Sequence, residues 1–263
     1  MYRIAIPSYN RVEGLGQKTL KTLEKHGFDK SIIDIFVANQ EQYDLYKSRY
    51  PDYNIFIGEK GIREIREFIF LKHYKEGDKV ISFDDDIELI KMKNPRGWEP
   101  PSFANDELDL KKEFDLAFEE CEKSGRHMWG VYPVDNCMFM KNDITYDYKF
   151  IIGHLFGVII KKELCSHTPD IGARDDYERS IKHYIADGGV VRLNYLCCKT
   201  KYIAEGGIGI DREGEKTLKV LVDTYPGLVS IKQKKAGPNP LLKDRRCKIT
   251  DDIDKATSKY VKV

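Results

Sequence analysis

The 263-residue chain is short of several things, and each shortage excludes something. It has no apolar run near the roughly 18–20 residues of a membrane-spanning helix, so no membrane partner is expected. It has almost no net charge, with 44 Lys+Arg against 43 Asp+Glu, which excludes a globally basic nucleic-acid coat and a globally acidic tail protein. Any partner chosen by charge is chosen by local patches. The six cysteines (Cys121, Cys137, Cys165, Cys197, Cys198, Cys247) include no C-x-x-C spacing. Only Cys197 and Cys198 are close, and vicinal cysteines bridge poorly, so reduced thiols without a zinc site are expected. The opening Met1-Tyr2-Arg3-Ile4-Ala5-Ile6-Pro7 is too soon interrupted for a signal peptide, which fits a cytoplasmic protein. There is no internal repeat and no low-complexity segment. What remains is ordinary: 41% hydrophobic residues, enough at this length for one substantial core.

The first 90 residues alternate between two periods. Strands are expected at Tyr2–Ile6, Ile32–Ala38, Tyr53–Ile57 and Lys79–Phe83, and helices at Gln17–His26, Glu41–Tyr50 and Ile62–Tyr74. That order implies a parallel sheet covered by helices on both faces. Residues 94–105 hold Pro95, Gly97, Pro100 and Pro101 and read as a loop. Glu107–Ser124 reads as a helix, and strands are expected near 128–132, 147–152 and 156–161 in antiparallel or mixed pairing. Asp175–Ala186 and Glu213–Tyr225 read as helices, Val190–Cys197 and Leu228–Ile231 as strands, and the tail after Lys234 as loosely ordered.

The sharpest chemical feature is Asp84-Asp85-Asp86, directly after a buried apolar strand. Side chains of an extended chain alternate, so Asp84 and Asp86 can face one way and Asp85 another. Carboxylates at the C-terminal end of a parallel strand stand where α/β sheets place ligands. All-oxygen donors favour Mg²⁺ or Mn²⁺ shared with substrate phosphates. The plainer reading is a solvated acidic turn. At the end of the first strand, Pro7-Ser8-Tyr9-Asn10-Arg11 offers a ring, an amide and a guanidinium to a nucleotide, or else a helix-entry loop capped by Ser8 or Asn10. Gly61, Arg63 and Arg66 open the third helix, where an anion is favoured; surface pairing of Arg63, Glu64, Arg66 and Glu67 is the alternative. Asp175-Asp176 opens a later helix as a cap or as a general base.

Taken together, Ile4–Arg11, Phe83-Asp84-Asp85-Asp86-Ile87 and Asp175-Asp176 resemble the GT-A glycosyltransferases. Phe36-Val37-Ala38, Gly61 with Arg63 and Arg66, Gly153–Ile159, and Lys201-Tyr202 before Gly206-Gly207-Ile208-Gly209 look most like the TET-associated, base J-related DNA glycosyltransferases of phages. The resemblance covers most of the chain. It implies an α/β GT-A fold with a mixed, mostly parallel sheet flanked by helices. It implies one domain over 1–263, with a nucleotide-sugar half (1–90), an acceptor and catalytic half (91–235) and a basic tail (236–263). It implies a UDP-sugar donor, most simply UDP-glucose, bound across Pro7, Ser8, Tyr9, Asn10, Arg11, Gly61, Arg63, Arg66, Asp84 and Asp85. Mn²⁺ or Mg²⁺ would be held by Asp84 and Asp86, with Asp176 or Asp175 as the base of an inverting transfer to a hydroxymethylated pyrimidine in DNA. Two departures stand out. The later acidic pair is Asp-Asp where the family usually has Glu-Asp, and the last histidine is His183, inside the expected helix, so no C-terminal His completes the metal shell.

Lys232 to Lys248 carries seven basic residues (Lys232, Lys234, Lys235, Lys243, Arg245, Arg246, Lys248) and one acid, Asp244. Such a stretch suits a phosphate backbone, a lid over the donor diphosphate, or a solvated tail. Trp98, Trp129, Tyr146 and Tyr148 are candidates for stacking on an extruded base, although core packing is the commoner fate of such rings. Other readings keep the donor but move the acceptor to a glycan, lipid carrier or protein, or make the chain a nucleotidyltransferase or a non-catalytic nucleic-acid-binding module.

Overall fold

The computed structural model describes residues 1–95, 102–200, 214–232 and 246–249. Its strands are β1 (Arg3–Pro7), β2 (Ile33–Val37), β3 (Asn54–Ile57), β4 (Lys79–Phe83), β5 (Ile87–Met92), β6 (Met128–Tyr132), β7 (Ile144–Thr145), β8 (Leu155–Ile159), β9 (Val191–Thr200), β10 (Val229–Lys232) and β11 (Arg246–Ile249). One sheet runs β3-β2-β1-β4-β8-β6-β9-β5, with β7 beside β9. The first four strands pair parallel, as the alternating pattern of the first 90 residues predicts. Beyond β4 the pairing turns antiparallel to β8, which lies antiparallel to β6. β6 then pairs parallel with β9.

The parallel strands are apolar on both faces, because helices cover both. Ile4 and Ile6 of β1, Ile33, Ile35 and Val37 of β2, and Ile81 and Phe83 of β4 enter one core cluster. Their intervening neighbours Ala5, Phe36 and Val80 enter the opposite one. The Leu110–Ser124 helix adds Leu110, Phe114, Ala117, Phe118 and Cys121 to the first cluster, is capped by Asp109 accepting from Lys112 N, and stops at left-handed Gly125. Trp129 is fully buried against Phe114 and Phe118, so this ring is spent on packing. A third cluster joins the Asp175–Asp187 helix to the Gly214–Thr224 helix through Ile181, Tyr184, Leu218 and Leu221. Tyr148 belongs to it, stacked on Tyr184 with 4.1 Å between centroids.

β5 was not expected, and it shapes the site. In the sheet order it lies four steps from β4. At ~4.8 Å per strand a flat sheet would put them ~19 Å apart. The link Asp84-Asp85-Asp86 spans at most about 14 Å. The far part of the sheet therefore curls back. Along this part the register is irregular between Val131 and Tyr132, where the β9 partner jumps from Leu193 to Cys197, and again between Ile87 and Leu89. A helical run (Val12–Leu15, a π-type stretch Gly16–Leu20, then Lys21–Lys25) closes over the turn, beginning earlier than expected.

Three expectations are corrected. Residues 147–152 form no strand; the short β7 precedes them, and Phe150 stacks on Tyr177 while Ile151 N bonds the Ser180 hydroxyl, which draws this segment onto the Asp175–Asp187 helix instead of into the sheet. The helix after β1 is preceded by Arg11 with no side-chain cap, so neither Ser8 nor Asn10 caps it. The basic tail contains a strand, since β11 pairs antiparallel with β10. Among the described residues no helix is long and apolar enough to cross a membrane. Cys121, Cys137, Cys165, Cys197 and Cys198 form no disulfide.

Candidate active site

The carboxyl ends of β1 and β4 deliver two loops to one place. Ser8, just past β1, donates from its hydroxyl to Asp85 Oδ2 at 2.6 Å and meets the Tyr46 hydroxyl at 2.8 Å. Arg11 donates from Nη1 to Asp85 Oδ1 at 2.8 Å and to Asp86 Oδ2 at 3.3 Å, while its backbone N–H bonds Tyr46. Asn10 turns the loop at a positive φ of 55° and is held on both sides by Gln42, at 2.9 and 2.7 Å. Tyr9 is left pointing outward, 37% exposed, with the Lys60 ammonium 5.3 Å from its ring.

The acid turn is clamped from the helical side. Thr19 donates from Oγ1 to Asp84 O at 2.7 Å and accepts from Ile87 N at 3.0 Å; Thr22 donates to Ile87 O and Glu88 O. From the other side Asp84 N donates to His154 O at 2.9 Å. So the turn is built, not solvated. Asp85 is buried between Ser8 and Arg11, whereas the Asp84 and Asp86 side chains keep 33% and 18% of their surface. The middle carboxylate is the one turned inward, within a turn in which Arg11 reaches both Asp85 and Asp86 while Asp84 meets Arg66.

Arg66 carries the construction across the sheet. It is 3% exposed and donates to Asp84 Oδ1 (2.9 Å), Gly153 O (2.8 Å) and Asp175 Oδ2 (2.7 Å). A Cβ at residue 153 would meet both terminal guanidinium nitrogens at 3.0 Å, so any side chain there would press the Arg66 guanidinium from its place. Arg179 completes the group, 3.2 Å from the same Asp175 oxygen, its guanidinium 3.8 Å from the Phe156 ring centroid. Asp175 thus lies between two guanidiniums, which hold its carboxyl well below the usual range against the cost of burial. Asp176, one residue on, accepts from the Tyr177 N–H and is only partly buried. Burial and the charge of Asp175 push it up to about 6.

Not every expected residue joins this cluster. Gly61 precedes the Ile62–Glu67 helix at φ 115°, a conformation that favours glycine. Arg63 folds onto Glu64 at 2.6 Å. Lys232 and Arg246 are register partners in the β10–β11 pair, a sheet separate from the one that carries the acids. Lys234, Lys235 and Arg245, the Lys201-Tyr202 and Gly206–Gly209 motifs and Trp98 lie outside the described residues. Tyr146 bonds Glu120 at 2.6 Å, so its hydroxyl is engaged in the helix layer. Tyr46, Gln42, Thr19 and Arg179 belong to the site and were missed. Helix-borne Tyr, Gln and Thr give no motif, and only the i, i+4 spacing of Asp175 and Arg179 was readable.

Five carboxylates (Asp84, Asp85, Asp86, Asp175, Asp176) here meet three guanidiniums (Arg11, Arg66, Arg179). Burial together with the neighbouring acids raises the Asp84 carboxyl to about 7 even with Arg66 beside it. Such an excess of negative charge on partly open, all-oxygen donors suits a hard divalent cation. Among the described residues no three His, Cys, Asp or Glu side chains gather as a complete metal set. His183 is buried with Nδ1 on Arg179 O and takes no part. A two-carboxylate site that leaves positions for phosphate oxygens and water fits the residues present.

The fold, with its mixed sheet flanked by helices, is that of the GT-A glycosyltransferases. Residues 2–130, just under half of the chain, match the model of the TET-Associated Glycosyltransferase family. The crystal structure of Staphylococcus aureus TarS in complex with UDP-GlcNAc is similar at a TM-score of 0.54 and 12% identity, covering 86% of this chain and 66% of that one. A mycobacterial protein is similar at a TM-score of 0.52 and 9% identity, covering 95% of this chain and 83% of that one. The chain therefore spans just under two thirds of the TarS fragment. No curated protein matches the chain in sequence.

Proposed function

We propose that the chain transfers a sugar, most simply glucose, from a UDP-sugar to the hydroxyl of a hydroxymethylated pyrimidine in DNA, with inversion. The observation that carries this reading is the split of the Asp175-Asp176 pair beside Asp84: one acid locked between two guanidiniums, its neighbour left basic enough to take a proton. The DNA acceptor rests on the family match alone. The donor would lie over the β1 and β4 ends, with Tyr9 exposed for a base and Asp84 and Asp86 toward the diphosphate. Those two carboxylates would hold Mg²⁺ or Mn²⁺, which supplies charge neutralisation on the departing diphosphate.

The chain's own residues do the rest. Ser8, Arg11 and Thr19 fix the turn so that Asp84 and Asp86 need no reorganisation when substrate arrives. Arg66 holds the start of the Asp175–Asp187 helix against the donor side through Asp84 and Asp175. Asp176 accepts the proton of the acceptor hydroxyl as that oxygen bonds to the anomeric carbon and the UDP oxygen leaves. A primary alcohol is far too weak an acid to ionise beforehand, so this assistance belongs in the transition state.

The test is direct. The protein, Mn²⁺, a panel of UDP-sugars and DNA containing hydroxymethylcytosine or hydroxymethyluracil are incubated, and the nucleosides are weighed. A hexose added to one base supports the reading; transfer to a saccharide with no mass change on any DNA overturns its acceptor. The UDP-GlcNAc complex of the similar TarS structure favours UDP-N-acetylglucosamine as the second donor to try.

A further inference from the structure

The loop after β6 exposes apolar surface that the sheet and the site do not use. Val134 is 47% exposed, and Met138 and Phe139 are each 64% exposed, next to Met140 at 2%. The loop is nonetheless firmly built. Asn136 N donates to Val134 O, Phe139 N to Asn136 O, and Met138 N to the Asn136 side chain at 3.0 Å. Lys91 grips both oxygens of Asp135 at 2.8 Å, and Lys93 donates to Met140 O. Two large apolar side chains are thus held outward by an ordered frame.

Its position is informative. β6 runs antiparallel to β8 with Gly130 opposite Phe156, so Tyr132 ends level with the start of β8. There Gly153 and His154 hold Arg66 and Asp84. The loop therefore rises from the same sheet edge as the acids, one strand beyond β8 and on the side away from the β1 loop. Its charge points to an anionic occupant. Along residues 133–143 Asp135 is neutralised by Lys91 and exposed Asp143 offsets exposed Lys141, so the rim keeps one net positive charge, that of Lys93, whose ammonium also holds Met140 O.

We propose that Met138 and Phe139 form the platform that receives the acceptor, a nucleic-acid strand whose target pyrimidine has left its stack. An unstacked base loses its neighbours, and an apolar or aromatic side chain beside a cationic rim replaces them. This rests on the DNA acceptor proposed above and adds which surface takes the base.

The experiment compares the wild type with Met138→Ser/Phe139→Ser, with Phe139→Trp, and with Leu45→Ser, an apolar site 47% exposed on the Gln40–Arg49 helix. The readouts are the KM and Kd for hydroxymethylated DNA, the kcat at saturating DNA, thermal unfolding, and sedimentation of each protein. The double variant is expected to raise KM and Kd roughly tenfold or more, with a smaller change in kcat. Phe139→Trp is expected to retain or tighten binding, and Leu45→Ser to behave as wild type. Unchanged KM and Kd in a folded double variant overturn the platform while leaving the DNA reading intact. A wild-type dimer that dissociates in the double variant overturns it in favour of a self-interface. A wild type that glycosylates a saccharide and ignores DNA overturns the acceptor reading and the platform with it.

Discussion

Asp175 and Asp176 are neighbours in sequence, and Asp84 to Asp86 are as well, yet the two acidic runs are built on opposite plans. The strand-end run is a framework: each acid or its backbone is tied to a partner from another element, namely Arg66 and Thr19 for Asp84, Ser8 and Arg11 for Asp85, and Arg11 for Asp86. The helix-start run is a division of labour. Asp175 takes both guanidiniums, and Asp176 takes a backbone N–H. The carboxyl shifts accordingly run in opposite directions, down for Asp175 and up for Asp176. Chemical equivalence in a sequence is undone by which neighbour gets the counter-charge.

The largest effects should separate the members of the helix-start pair. Asp176→Asn removes the proton acceptor and is expected to lower kcat by about 10²–10⁴ while leaving the fold stable. Asp175→Asn leaves Arg66 and Arg179 buried without their shared carboxylate. It is expected to cost about 3–5 kcal/mol in denaturant unfolding. If Asp175→Asn unfolds at the wild-type midpoint and loses the same activity as Asp176→Asn, the division is wrong.

Next comes the strand-end run. Asp84→Asn and Asp86→Asn are each expected to lose the Mn²⁺ dependence of UDP binding, measured by calorimetry with and without the ion. Asp85→Asn is expected to keep that dependence. It should instead lose about 1–3 kcal/mol of stability, since it strands the buried partners Ser8 and Arg11. Retained Mn²⁺ dependence in both Asp84→Asn and Asp86→Asn would remove the metal from this site.

How much of this was legible follows the range of the interactions. The parallel strands β1 to β4 and the helices between them are written in local apolar periodicity, and the strand-end acids announce themselves by following one of those strands. β5 was hidden because Ile87–Met92 follows β4 after only the three acids of the turn, and its place is set by its pairing with β9, more than one hundred residues later. The 147–152 segment has strand-like composition, but its contacts with Tyr177 and Ser180 win. Arg66 looked like a ligand-facing residue at a helix start. Its burial depends on Gly153 and Asp175, eighty-seven and one hundred and nine positions away, and no local pattern carries that.

A smaller effect is the pH dependence, where the two neighbours should pull in opposite directions. With Asp176 near 6, and at saturating Mn²⁺ to keep Asp84 ionised, activity is expected to rise about tenfold per pH unit up to roughly pH 6 and then level off, because the base works only when ionised. Stability runs the other way for this residue. An unfolded Asp titrates near about 3.9, so the raised folded value contributes stability present below that pH and lost as pH rises through 6. Asp175, depressed in the fold, contributes stability present above about 3.9 and lost as pH falls below it. Unfolding free energy measured from pH 3 to 8 should fall less between pH 4 and 7 in Asp176→Asn than in wild type. An identical slope would place the raised carboxyl elsewhere.

The smallest expected effect tests the frame under the acids. The Thr19 hydroxyl donates to Asp84 O and accepts from Ile87 N, so Thr19→Val leaves both backbone groups without that partner while filling the same volume. A loss of about 1–3 kcal/mol is expected, with Thr19→Ser restoring most of it. Because Asp176 hangs from another helix, its apparent pKa in the rate profile should stay put, whereas Mn²⁺-dependent UDP binding should weaken as the Asp84–Asp86 turn loosens. A shift in the rate profile without weaker UDP binding would mean that the two acidic runs share one frame and that their separation is only apparent.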